Sequence, residues 1–266
     1  MEDLVEHVVA LEGRDLRLLA PRDSDALLDE EAFEHEEFLP YWAELWPSAV
    51  ALARVVARRP LTGRRVLELG CGLGLPAIAA ALGGGRVLAT DWSAEAVAMT
   101  AGNAARNDAP LETAVFRWDD PPEALGPPWT LVLASDVLYE PRNVGLLLAL
   151  LPRVTAAAGE VWLSDPGRAP ATRFLEAAAK TWRLDTVPHD GPAHVTVHRL
   201  RGKYDPATAL DTRRAAPRAR DRAEGVPPLA DYDPATALDT RRAALTARDR
   251  AEGVPPLAVT TARPAP

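Results

Sequence analysis

Arg65-Val-Leu-Glu-Leu-Gly-Cys-Gly-Leu-Gly-Leu-Pro76, followed by Val87-Leu-Ala-Thr-Asp91, decides the fold of this 266-residue chain. Val66 to Leu69 is a short apolar run of the kind a buried parallel strand shows. Gly70, Gly72 and Gly74 then allow a sharp turn and a close approach of backbone to ligand, because residues with a Cβ would clash there. Pro76 to Leu82 reads as a compact helix stopped by Gly83-Gly84-Gly85, and Arg86 to Thr90 as a second strand. That strand ends at Asp91, where an acid can accept hydrogen bonds from ribose hydroxyls. The unit is therefore read as a βαβ nucleoside site, with a purely structural turn as the alternative.

Spacing narrows the ligand. A dinucleotide site would carry G-x-G-x-x-G, but Leu75 stands at the third-glycine position while Gly74 comes one residue early. Around this unit strands and helices alternate. Strands are expected at 64–69, 86–90, 112–116, 130–135 and 160–164, and helices at 47–58, 76–82, 94–107, 143–156 and 171–181. Trp182 to Val187 and Ala193 to Leu200 bring the count to seven strands, the last two as an antiparallel pair. The fold class expected is α/β, a Rossmann-like, mostly parallel seven-stranded sheet with helices on both faces. Ligands of such sheets sit beyond the carboxyl ends of the strands. Ahead of it, Glu6 to Ala20 reads as a hairpin turning at Glu12-Gly13-Arg14-Asp15, and Asp23 to Glu37 as an acidic passage.

Composition sets the remaining bounds. The single cysteine, Cys71, rules out an intramolecular disulfide and points to a reducing, cytoplasmic home. No apolar run is long enough for a membrane span, and the N-terminus does not look like a signal peptide. Net charge is −8, with thirteen acids and three arginines in residues 1–40. Such a segment repels nucleic acid and would attract a cationic protein partner, unless it is only a solvated surface. The five histidines are scattered, and no Cys/His spacing suggests a metal site. Residues 201–266 are a different object: Tyr204 to Ala230 and Tyr232 to Ala258 are a 27-residue tandem repeat differing only at Pro217/Leu245 and Arg218/Thr246. Each copy has few large apolar residues, so a flexible or marginally helical tail is expected after one domain of residues 1–200.

Three further strings end strands on the ligand side. Phe116-Arg-Trp-Asp-Asp120 closes the third strand of the sheet, where an aromatic can stack on a base and an acid can accept an exocyclic amine. Trp118 and Asp119 are the candidates, with core packing the alternative for Trp118 and, equally, for Trp92. Ala134-Ser-Asp-Val-Leu-Tyr-Glu140 closes the fourth, where a carboxylate can hold an ammonium or take its proton, or merely cap the next helix. Ser164-Asp-Pro-Gly-Arg168 closes the fifth with a turn presenting an anion and a cation.

The E-x-G-x-G-x-G pattern from Glu68 to Gly74 resembles motif I of class I S-adenosylmethionine-dependent methyltransferases. Asp136-x-x-Tyr139 resembles the motif of the seven-strand protein lysine methyltransferases. Pro40-Tyr-Trp-Ala-Glu-Leu-Trp-Pro47 and Ser164 to Arg168 are similar to segments of the electron-transfer-flavoprotein β-subunit lysine methyltransferases, so the resemblance runs over residues 38–200. It implies S-adenosyl-L-methionine as cofactor, held by Trp46, Glu68, Gly70, Cys71, Gly72, Gly74, Asp91, Trp92, Trp118, Asp119 and Ser135. It implies that Asp136 and Tyr139 serve catalysis and that Tyr41, Asp165 and Arg168 shape a lysine channel. A packed aromatic plug is the other reading of Tyr41, Trp42 and Trp46. The activity expected is N-methylation of a protein lysine. A small-molecule N- or O-methyltransferase, a silent cofactor-binding adaptor and, more distantly, a nicotinamide-dependent oxidoreductase stand as alternatives.

Overall fold

The computed structural model describes residues 3–23 and 40–202. The acidic passage beyond Asp23 and the repeat tail lie outside the described residues. Strands β1 (Leu4–Leu11) and β2 (Arg14–Pro21) form the hairpin, with a turn at Glu12 and Gly13 that is two residues tighter than the sequence suggests. A 3-10 turn, Tyr41–Ala43, leads into helix α1 (Pro47–Ala57).

The sheet follows in chain order as β3 (Arg65–Leu69), α2 (Leu75–Leu82), β4 (Arg86–Asp91), α3 (Ala94–Arg106), β5 (Leu111–Val115), β6 (Trp129–Ser135), α4 (Pro141–Val154), β7 (Thr155–Asp165), α5 (Ala169–Ala178), β8 (Trp182–Val187) and β9 (Thr196–Gly202). Its spatial order is β5-β4-β3-β6-β7-β9-β8. The first five run parallel, and β9 lies antiparallel between β7 and β8. Strand order reverses between β3 and β6, the switch point at which ligands of doubly wound sheets bind.

Alternate side chains on the central strands build two cores. Val66, Leu131, Leu133 and Trp162 face α1, α2 and the hairpin residues Leu16 and Leu18. Leu67, Leu69, Val132, Ala134, Val161 and Leu163 face α4 and α5, with Leu147, Leu151 and Phe174 against them. The period of two is that of a pleated strand, and burial on both faces is why these strands read as continuous apolar runs.

Several boundaries differ from the sequence reading by two residues or more, and two of the shifts have a visible local cause. The helix expected to run to residue 156 ends at Val154, and Thr155 turns straight into β7, pairing with Trp129 ahead of a register shift. Gly159 fills that irregularity, because a Cβ there would lie 2.8 Å from the Trp129 carbonyl oxygen. The last strand begins at Thr196 rather than residue 193, since Val195 N donates to Pro192 O in a turn.

Candidate active site

The turn between β3 and α2 brings together two candidate subsites. Gly70 has φ +70°, and a Cβ on it would lie 3.0 Å from Val137 Cγ1 and 3.5 Å from the Trp118 ring. Gly72 has φ +52°, and its Cβ would lie 3.2 Å from the Trp42 carbonyl oxygen. The backbone is thus packed as closely as glycine permits against the segments after β5 and β6 and against residues 41–43.

Carboxylates hold the turn from below. Glu68 is fully buried, and its Oε2 accepts from Ala77 N at 2.8 Å, while Oε1 has no protein partner. Burial pushes its pKa well above the usual carboxylate range, and the neighbouring Asp91 adds to the rise. Asp91 Oδ2 accepts from Gly72 N at 3.0 Å and Oδ1 from Ser93 N at 3.2 Å. Burial raises its pKa too, opposed by these hydrogen bonds. Cys71, inside the turn, is buried, and its thiol pKa is raised mainly by that burial.

Two residues that sequence reasoning missed secure the same turn. Thr100 Oγ1, on α3, donates to Gly72 O at 2.8 Å and touches Cys71 Sγ at 3.3 Å. One turn on, Asn103 Nδ2 donates to Leu73 O at 3.1 Å and Leu19 O at 3.0 Å, while Oδ1 accepts from Leu19 N at 2.7 Å. The available signal was their spacing: two polar residues on one face of an alanine-rich helix.

The remaining cofactor-side candidates spread around the turn. Trp118 is half-buried beside Gly70 and packs on the second core, so the stacking and packing readings hold one position. Asp119 is exposed and pairs with Arg117 at 3.3 Å. Trp92 is half-buried just past β4, and Ser135 is half-buried at the end of β6, in register with Ser164 on β7.

The acceptor-side candidates converge at the ends of β6 and β7. Asp136 is almost fully buried and has φ +58°, a left-handed conformation uncommon for a residue with a side chain. Its N–H donates to Ser164 O at 2.9 Å, and Asn143 Nδ2 donates to Val137 O at 2.8 Å, fixing the bend. The Arg168 guanidinium donates directly to Asp136 Oδ1 and lies 3.9 Å from Asp165 Oδ2. Asp165 Oδ1 accepts from Gly167 N at 2.6 Å and Arg168 N at 2.8 Å. The Tyr139 and Tyr41 rings meet at 4.9 Å, and Trp46 Nε1 donates to Tyr41 O at 2.8 Å. Arg168 lies 5.9 Å from the Trp46 ring. Burial pushes the Tyr139 pKa upward, so its hydroxyl stays protonated.

A model of the lysine methyltransferase family matches residues 36–180. The chain is 36% identical over 180 residues to the electron transfer flavoprotein beta subunit lysine methyltransferase of Xenopus laevis, covering 62% of this chain and 69% of that protein. It is 34% identical over 157 residues to the human histone-arginine methyltransferase METTL23, covering 54% of this chain and 80% of that one. In fold it is similar to the T. thermophilus 16S rRNA N2 G1207 methyltransferase, with a TM-score of 0.55 at 15% identity over 75% of this chain and 51% of the other.

The cofactor is S-adenosyl-L-methionine. The residues present fit it: a glycine turn packed to the Cβ limit, an acid at the carboxyl end of β4 and an indole beside Gly70. Matched over more than half its length and built on the corresponding fold, the chain belongs to the lysine methyltransferase family.

Proposed function

We propose that this protein transfers a methyl group from S-adenosyl-L-methionine to the ε-amine of a lysine in a protein substrate. The observation that carries the reading is the junction of the two subsites. Val137 lies against Gly70, and Asp136 and Tyr139 stand one and two residues from Val137 in the chain.

Gly70, Gly72 and Gly74 carry the methionine part of the cofactor, Asp91 receives the ribose hydroxyls, and Trp118 flanks the base. Glu68, Cys71, Trp92 and Ser135 complete the surround, and Trp46 closes it from the side of residues 41–46. Asp119 would receive the exocyclic amine of adenine by leaving its surface ion pair with Arg117. When bound, the cofactor would supply an electrophilic methyl carbon on a sulfonium, whose C–S electron pair would stay with sulfur as the amine takes up the methyl. Tyr41 and Tyr139 line the acceptor channel, and Asp136 orients the amine by accepting one of its N–H groups. Asp165 holds the turn that presents Arg168. Alignment of this kind supplies on the order of 7–11 kcal/mol.

The acceptor must arrive without its extra proton, from an unperturbed pKa of about 10.4. Partial burial of the channel residues favours the neutral amine. The single cysteine, Cys71, is buried and suits a reducing compartment, so the enzyme is placed in the cytoplasm.

The test is incubation with radiolabelled S-adenosyl-L-methionine and a lysate of the source organism. Label is expected in a protein band with wild type and not with Asp136→Ala. Label confined to a small-molecule fraction would favour a metabolite acceptor. Cofactor binding with no label anywhere would favour a silent adaptor.

A further inference from the structure

The carboxylate assigned to the acceptor is already paired. Arg168 donates to Asp136, lies 3.9 Å from Asp165 Oδ2 and is 5.9 Å from the Trp46 ring. The pairing is built rather than incidental. Asp165 is buried at the end of β7 and accepts from the backbone N–H of Gly167 and of Arg168 itself, so the guanidinium leaves a fixed turn. Asp136 meets it from a left-handed bend fixed by Ser164 and Asn143. Among the described residues Tyr41, from the 3-10 turn before α1, acts electrostatically on Arg168, and Tyr139 stands against Tyr41 with Glu140, Asp91 and Arg142 acting on it in turn.

An unpaired carboxylate beside an amine favours the ammonium form, which has no lone pair to react. A carboxylate whose charge is offset by a guanidinium can still accept one N–H without holding the third proton. Arg suits that task because it stays charged at any working pH and presents several donors in a rigid fork.

We infer that Arg168 is a positioning residue that sets the charge of the acceptor subsite, cancelling Asp136 so that the neutral lysine amine, and not its ammonium, is the form bound. The inference rests on the lysine reading above. It differs from simple occlusion, in which Arg168 would merely compete with a lysine ammonium for Asp136.

The two ideas separate in the pH dependence of binding. The probe is N-acetyl-lysine methylamide, titrated by calorimetry into the full chain saturated with S-adenosylhomocysteine, from pH 7 to pH 10. Wild type is expected to bind more tightly by about tenfold per pH unit below the probe's pKa of about 10.4, because the neutral fraction grows at that rate. Arg168→Gln is expected to reverse the sign, binding best at pH 7 and losing affinity as the ammonium disappears. Arg168→Lys restores the cation and is expected to follow the wild-type direction, which separates loss of charge from loss of fold. If wild type and Arg168→Gln both lose affinity with rising pH, Arg168 is only a competitor and the inference is overturned. It is equally overturned if both gain affinity in parallel, or if neither binds the probe at any pH. In that last case, labelled protein in the lysate assay would show that methyl transfer stands without it.

Discussion

Asp136 stands in a backbone conformation that glycine adopts freely and other residues rarely do, and the cost of order 1 kcal/mol or more persists only because neighbours fix it. Its N–H is tied to Ser164 and the next carbonyl to Asn143, so the bend holds its carboxylate against the Arg168 guanidinium. Asp136→Ala is expected to lower methyl transfer on the order of 100-fold, as loss of acceptor alignment does, while calorimetry finds cofactor affinity unchanged. Gly72→Arg should do the opposite and abolish cofactor binding, since even a Cβ there meets the Trp42 carbonyl oxygen at 3.2 Å. Glu68 makes a pH prediction. Its folded pKa is raised, so between the ordinary carboxylate value and that raised value the folded state keeps a proton that the unfolded chain has released. Stability therefore falls as pH rises through that window. Glu68→Gln keeps an oxygen for Ala77 N and should give a shallower decline in urea midpoint from pH 5 to pH 8. An unchanged slope would count against a buried, protonated Glu68. Gly70, Gly72 and Asp91 were legible because turn chemistry is local. The pairing of Asp136 with Arg168 was not, because it joins residues 32 apart that meet only through adjacent strand ends.

At the scale of elements, α3 is the part whose role the sequence disguised. Its alanines predict a helix, but its work is done by Thr100 and Asn103, which bind the glycine turn on one side and the hairpin strand β2 on the other. Asn103→Ala leaves the Leu19 N–H and the Leu73 carbonyl without this partner. A loss of about 1–3 kcal/mol in unfolding free energy is expected, with weaker cofactor binding as the turn loosens. Denaturant unfolding and cofactor titration on the same variant would check both. The βαβ elements were readable because continuous apolar runs and glycine stops mark a strand buried on both faces. The junction of α4 and β7 was not, because an alanine run with no apolar period reads as helix until pairing with Trp129 draws it into the sheet.

At the scale of the molecule, the seven-stranded sheet and the five helices of the described residues place every candidate group at the carboxyl ends of β3 to β7 or on the segment before α1. The acceptor and cofactor groups belong to separate stretches of chain, and only the parallel order β4-β3-β6-β7 brings them to one edge. Every contact described at the site is made by residues up to Arg168, and the family match ends at residue 180. A chain ending at Gly202 is therefore expected to bind S-adenosyl-L-methionine with full-length affinity and to unfold at the same temperature within about 2 °C, a shift worth at most about 1 kcal/mol.

The central claim concerns the acceptor atom, and relatives of this chain carry names of both lysine and arginine methyltransferases. The direct measurement is acid hydrolysis of the protein band labelled from radioactive S-adenosyl-L-methionine, followed by chromatography of the amino acids. The account predicts that the label elutes with methylated lysine. Label eluting with methylated arginine would contradict it.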